Sequence, residues 1–391
     1  MKADIAYPKL HVPAGEDFLL LPPTAQAHAY RNVDRMFATR TIRRGEAVMS
    51  LPRGPEISPR YRADQAEQGV DGYMDRANVA GLLVIKGEHI VLERYALGLG
   101  EDVRWSTMSM IKSLTSTLVG AALQQGAIAS LDDAVSQYIP ALRGCAYDTV
   151  TVRNLITMSS GVRWNEDYTD RASDVNRYSK SLGDKVPGGV LALMRGLKAE
   201  QRPGSQFNYN TGDTYVLGSL VTAATGKKLA DYMSETIWSP LGMECDAFYT
   251  LESEDGQEIG GSRAGITLRD LGRFGVFLLR NGVIDGKPVL PPDWIDHAGH
   301  PAFSFGEETN RYGATGYGYS WWIDPDGSMA AVGFAGQSLY INRKDGVVIV
   351  TLSCQPQPPY SEAYTVDLKA EYHAFKQAVL AACGMRARVM E

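Results

Sequence analysis

"STMSMIKSLTST", residues 106–117, sets a lysine one helical turn after a serine in a stretch otherwise built of small and apolar residues. Ser109 and Lys112 stand three apart, a spacing that puts both side chains on one face of a helix. Such a pair also arises by chance in chains of this size, so its surroundings must decide its meaning. A helix is expected over about 109–125. Met108, Met110, Ile111, Leu114, Leu118 and Val119 leave it little purely polar face, so it should be buried nearly all round. A lysine in a buried helix is costly unless it has a partner or a task. The plainer alternative is a solvent-facing Ser and Lys on an amphipathic helix, and the spacing by itself leaves both open.

The sequence on either side of this helix indicates a sheet made of distant segments. Upstream, "VAGLLVIKGEHIVLERYALG" (79–98) has two β-rich runs around Lys86-Gly87-Glu88, a hairpin signal. Downstream, "SLDDAVSQYIPAL" reads as a loop, a short helix and a proline stop, and "TVTVRNLITMSSGV" starts a helix with Thr151 as its cap. The stretch to about 250 is mainly helical, with a break at Thr225-Gly226. After a helix capped by Thr267, residues 319–353 read as consecutive antiparallel strands with turns at Asp326-Gly327 and Asp345-Gly346, and a final helix is expected over about 361–383. The fold class is therefore α/β in the α+β sense: an antiparallel sheet flanked by helices, with a mainly helical lobe inserted. The expected organisation is an irregular N-terminal arm, 1–60, that could take part in a homodimer contact, followed by one catalytic domain, 61–391. Its helical lobe spans about 109–250, and its sheet lobe about 70–108 and 255–391.

Composition narrows the function classes. A net charge of −6 over 391 residues, without a concentrated basic face, argues against a nucleic-acid partner. No apolar run is long enough to span a bilayer, so no membrane association is expected. The N-terminus shows no usable signal-peptide core, which makes the cytoplasm the default location. Cys145, Cys245, Cys354 and Cys383 lie far apart, as buried thiols of an intracellular chain do. His297 and His300 beside Asp296 form no ligand spacing, so no metal is implied. "GGSRAG" (260–265) superficially resembles a nucleophile elbow, but it follows no strand-like run and breaks the pattern at Ala264, so it is taken as a turn. "GLGEDV" (98–103) lacks the third glycine of a dinucleotide fingerprint.

A serine at a helix start can attack a carbonyl while its own N–H, unpaired within the helix, steadies the oxyanion. Serine needs a base, and Lys112 in an apolar pocket would have its pKa lowered enough to accept or relay the proton. In "QFNYNTGDTYVLG", Tyr209 is a candidate for the second proton transfer, although from the residues alone a half-buried aromatic with a satisfied hydroxyl is the stronger reading.

The order Ser109-Met-Ile-Lys112, then Tyr209-Asn-Thr211, then the glycine-rich "AVGFAGQSLYINR" resembles the serine β-lactamase and penicillin-binding superfamily, class C branch. Within it, "NEDYTDRASDV" and "GFAGQSLYIN" look closest to the 6-aminohexanoate-dimer hydrolases and to β-lactamase-like carboxylesterases. The similarity runs from about residue 80 to the C-terminus. The resemblance implies Ser109 as nucleophile, Lys112 as proton acceptor and Tyr209 as general base and acid. It further implies the Ser109 and Phe334 N–H groups as an oxyanion hole, with Gly333 allowing close backbone approach. Thr211 stands where the family usually has asparagine, so its hydrogen bond to the lysine or substrate is expected to differ. Ala331-Val332-Gly333 stands where lactamases have K-T-G, which removes the usual carboxylate anchor and demotes lactam hydrolysis. Tyr168 matches a tyrosine that, in the nylon-oligomer enzymes, contacts the substrate amide, although "WNEDYTD" reads equally as a solvated loop with a packing aromatic. Ser179 falls near an acidic position that assists an amine substrate, and serine lacks that charge. The implied function is a cofactor-independent serine hydrolase acting on a small amide or ester. A carboxylesterase without amide activity and a catalytically silent penicillin-binding-like protein are the alternatives.

Overall fold

A computed structural model describes residues 15, 17–305, 313–358, 360–363 and 365–387. The first fourteen residues of the expected arm lie outside them. The hairpin forms as expected: β1 (Val79–Lys86) pairs antiparallel with β2 (His89–Tyr95) across a turn at Gly87, whose φ of 62° suits a residue without a Cβ. Downstream come β3 (Phe303–Ser304), β4 (Gly316–Tyr317), β5 (Trp322–Ile323), β6 (Met329–Gly333), β7 (Gln337–Asn342) and β8 (Val347–Ser353). All eight strands form one antiparallel sheet in the order β3-β4-β5-β6-β7-β8-β1-β2, so the chain's late strands close onto its early hairpin.

The sheet is covered on both faces, which explains why β1 reads as a continuous apolar run rather than an alternating one. Side chains alternate across the pleat. Leu83 and Ile85 join the large core shared with the helical lobe and with the helix Leu268–Leu279. Leu82 and Val84 face the other way, under Phe375 and Val379 of the C-terminal helix Leu368–Ala387. There Tyr73 stacks on Phe375 at 3.9 Å. Each such fully buried side chain contributes about 1.5–3 kcal/mol of burial free energy.

Between hairpin and late strands runs the helical lobe. The helix beginning near Ser109 comprises a 3-10 turn, Met108–Met110, and α1 (Ile111–Gln124), in which every residue from Ile111 to Ala122 is buried. Its polar positions are tolerated there because they bond to carbonyls of neighbouring segments: Ser113 to Ser320, Thr115 to Gly260 and Ser116 to Tyr319. Thr151 caps Val152–Ile156 in a reciprocal capping box with Asn154, and Thr267 accepts from Asp270 N at the head of its helix. The final helix starts at Leu368 rather than near 361, after a 3-10 turn at Tyr360–Ala363.

Residues 18–42 carry regular structure where the sequence suggests an irregular arm. Pro23–Tyr30 is a helix, and Thr39–Ile42 pairs with Ala247–Thr250 in a second, four-stranded sheet that also holds Gly265–Ile266 and Trp105–Ser106. Phe18, Tyr30, Phe37 and Ile42 are buried in the main core, so this segment packs as part of the body. Its strand pairing is invisible locally because the partner lies about two hundred residues away. Among the described residues, no helix is long and apolar enough to cross a membrane.

Candidate active site

The strand Trp105–Ser106 of the small sheet ends beside the large sheet and delivers the chain into the Met108–Met110 turn. Met108 takes a left-handed backbone, φ 47°, uncommon for a long side chain. This sharp reversal presents Ser109, half-buried, at the head of α1. One turn on, Lys112 is 1% exposed, and its Nζ lies 3.1 Å from Ser109 Oγ. Nζ also donates to the carbonyl of Gly261 at 2.5 Å. Burial disfavours the ammonium and lowers the lysine pKa to about 8, although the Glu166 carboxylate acts in the opposite direction.

Tyr209 reaches the same place from the far side of the lobe. Asn210 caps the helix Thr211–Thr225 through Asp213 N, which fixes the chain just before it. The Tyr209 ring stacks on Trp322 of β5, with centroids 5.6 Å apart, and its centroid is 5.3 Å from Lys112 Nζ. A cation at that distance from an aromatic face is attracted to it. The Tyr209 ring therefore joins the Ser109–Lys112 pair.

On the sheet side, β6 runs against the turn that carries Ser109. A Cβ on Gly333 would lie 2.6 Å from Thr107 O and 3.0 Å from Met108 Cβ, so only glycine permits this approach. Phe334, the next residue, lines a narrow cleft together with Ser109, Met108, Tyr168 and Thr211.

Glu166 was not singled out from the sequence, and it organises one wall. Its carboxylate accepts from Tyr168 OH at 2.7 Å, from Thr211 N at 3.1 Å, and from Thr211 Oγ1 and Trp164 Nε1. The Thr211 hydroxyl thus bonds to Glu166 instead of the lysine. Tyr168 is positioned twice over, since its ring also meets Phe334 edge-on at 5.0 Å. Its loop is pinned by Asn176 Nδ2, which donates to the carbonyls of Asp167, Tyr168 and Asp170. The only local signal for Glu166 was an acidic residue two before Tyr168; its contact with Thr211 spans 45 positions.

The "GGSRAG" segment is a turn, as expected, with Gly260 and Arg263 both at positive φ. It is nevertheless part of the site, because the Gly261 carbonyl holds Lys112 and Ser262 and Arg263 line the cleft. Ser179 is buried in the same wall. His297 lies elsewhere, stacked on Tyr319 with Nδ1 at 2.9 Å from Asp293 O. Among the described residues, no group of three or more His, Cys, Asp or Glu is arranged to hold a metal ion.

This sheet order and site arrangement accompany a match of residues 66–374 to the Beta-lactamase family model, and the chain belongs to that family. Among its relatives is the 6-aminohexanoate-dimer hydrolase of Paenarthrobacter ureafaciens, 31% identical over 287 residues, which cover 71% of this chain and 72% of the relative. A solved structure of a candidate 6-aminohexanoate-dimer hydrolase from Bacillus anthracis superposes with a TM-score of 0.82 at 24% identity, covering 95% of this chain and 97% of the other. A hydrolase with promiscuous acyltransferase activity shares the fold at a TM-score of 0.60 and 16% identity, covering 77% of this chain and 95% of its own.

Proposed function

We propose that this protein is a serine hydrolase that cleaves a small linear carboxylic amide or ester through an acyl-enzyme, acting as a 6-aminohexanoate-dimer-hydrolase-like amidase with esterase activity. The observation that carries this reading is the 3.1 Å contact between Ser109 Oγ and a wholly buried Lys112 whose pKa is lowered to about 8. A lysine that readily loses its proton near neutrality is the base a serine nucleophile needs.

In the proposed reaction, Ser109 Oγ bonds to the substrate carbonyl carbon while its proton passes to the Lys112–Tyr209 pair. The negative charge gathers on the carbonyl oxygen, facing the N–H groups of Ser109 and Phe334. The carbon–nitrogen or carbon–oxygen bond then breaks, and the leaving amine or alkoxide takes a proton from the pair. Water adds to the resulting ester, gives its proton to the same pair, and releases the acid as Ser109 recovers its own. Tyr168, held by Glu166 and Phe334 in the lining of the same cleft as Ser109, is the proposed contact to the scissile group.

The test is turnover of p-nitrophenyl acetate by the protein and by Ser109→Ala, with intact mass measured after brief exposure. Turnover and an added acyl mass in the wild type alone support the reading. Equal inertness of both folded proteins refutes it and favours a silent penicillin-binding-like role.

A further inference from the structure

One wall of the cleft carries a second buried cation that the reaction above does not use. Arg263 is 2% exposed, yet no carboxylate among the described residues pairs with it. Among the described residues its one hydrogen bond is long, from Nη1 to the carbonyl of Gly15 at 3.4 Å, and Nε is buried without a partner. The faces of Phe37 and Phe18, at 4.3 and 5.5 Å, give it partial compensation. Two hydroxyls on the same wall, Tyr178 OH and Ser262 Oγ, are likewise buried; they lie near enough to interact with each other and have no other partner among the described residues. Buried guanidinium groups are ordinarily paired with an anion, and buried hydroxyls ordinarily bonded, because desolvation without compensation is costly. A buried guanidinium with an unpaired Nε, beside two hydroxyls that have only each other, leaves this wall with donor capacity for an anion. The left-handed backbone at Arg263, φ 56°, is a second sign that the segment is held in a strained state to present this side chain.

Resting on the hydrolase reading above, we infer that Arg263, with Tyr178 and Ser262, binds a carboxylate on the acyl part of the substrate, so that the preferred substrates are monoesters or monoamides of short dicarboxylic acids. The acyl part is favoured because it stays bonded to Ser109 between the two half-reactions, and a site lined by buried groups suits the part that stays. A planar fork of N–H groups matches a carboxylate bidentately. Although burial lowers the Arg263 pKa to about 10, the group remains charged at neutral pH. Ser179, on the same wall, brings no opposing charge.

The experiment compares kcat/KM for p-nitrophenyl hydrogen glutarate with that for methyl p-nitrophenyl glutarate, the same chain with its carboxylate capped. The wild type is expected to prefer the free carboxylate by about tenfold to a hundredfold, the value of a charge-assisted contact in a desolvated site. In Arg263→Met the ratio should fall to about one, and Arg263→Lys should retain part of it. Glutarate should inhibit p-nitrophenyl acetate hydrolysis competitively in the wild type while glutaramide does not. If Arg263→Met fails to fold, the wild-type ratio and this inhibition decide. Equal turnover of the two glutarates by the wild type, or an undiminished ratio in folded Arg263→Met, overturns the inference and leaves the hydrolase reading intact. Failure of the folded wild type to turn over or be acylated by either ester removes both.

Discussion

Gly333→Ala tests whether the close approach of β6 to the nucleophile turn matters for chemistry. Its backbone is ordinary, with φ −124°, so alanine adds no conformational strain and the effect is steric alone. The new methyl would sit 2.6 Å from Thr107 O, where ordinary contact begins near 3.4 Å, so strand and turn must part by about 0.8 Å (3.4 − 2.6). Thr107 O is backbone and cannot rotate away, and Met108 Cβ and Gln337 Cβ, each at 3.0 Å, close off the other directions. Overpacking of this kind costs about 1–3 kcal/mol of stability. A displacement approaching 1 Å between the Ser109 and Phe334 N–H groups should lower kcat on p-nitrophenyl acetate by about tenfold to a hundredfold. KM should change little, because the lost contact belongs to the oxyanion. Steady-state kinetics beside a thermal melt separates the two effects. A folded variant with kcat within about twofold of wild type would refute the assignment of this junction to the oxyanion hole.

The pH profile follows from the lowered lysine pKa. The reactive form needs Lys112 neutral, so kcat/KM should rise with pH and level off above about 8. Because the Glu166 carboxylate raises that pKa, Glu166→Gln should shift the rising limb to lower pH; an unmoved limb would mean that another group titrates. Tyr209→Phe should reduce kcat by about a hundredfold or more with a smaller change in KM, and an unaffected kcat would exclude proton transfer through the phenol. Thr151→Ala removes the hydroxyl half of the capping box, while the residue-151 N–H can still donate to Asn154 Oδ1, and should cost about 1 kcal/mol, read as a lower melting temperature with esterase kinetics unaltered.

How much of this was legible from the residues depends on how far apart the interacting groups lie. Ser109 and Lys112 face each other because three residues of helix separate them, and the 3.1 Å contact needs little else. Thr151 and Thr267 cap their helices within three positions, and the 79–98 hairpin closes on its own glycine turn. Even the helical lobe inserted into a split sheet follows from the order of periodic segments, since β-rich runs at both ends must pair to satisfy their backbone groups.

Other features depend on contacts that no local pattern encodes. The pairing of Thr39–Ile42 with Ala247–Thr250, and the place of Glu166 against Thr211, join segments tens to hundreds of positions apart. "GGSRAG" is a turn by its composition, and nothing in the string says that its Gly261 carbonyl meets Lys112 or that Arg263 is buried with no counter-ion among the described residues. Local propensity and spacing are properties of neighbouring residues, so the sequence by itself determined that Ser109 and Lys112 face one another, the caps and the layered fold. Desolvation and charge pairing are properties of whatever surrounds a group in space. Only the tertiary structure, by burying Lys112 beside Ser109 and Arg263 in the wall of the cleft, decided how those residues are tuned.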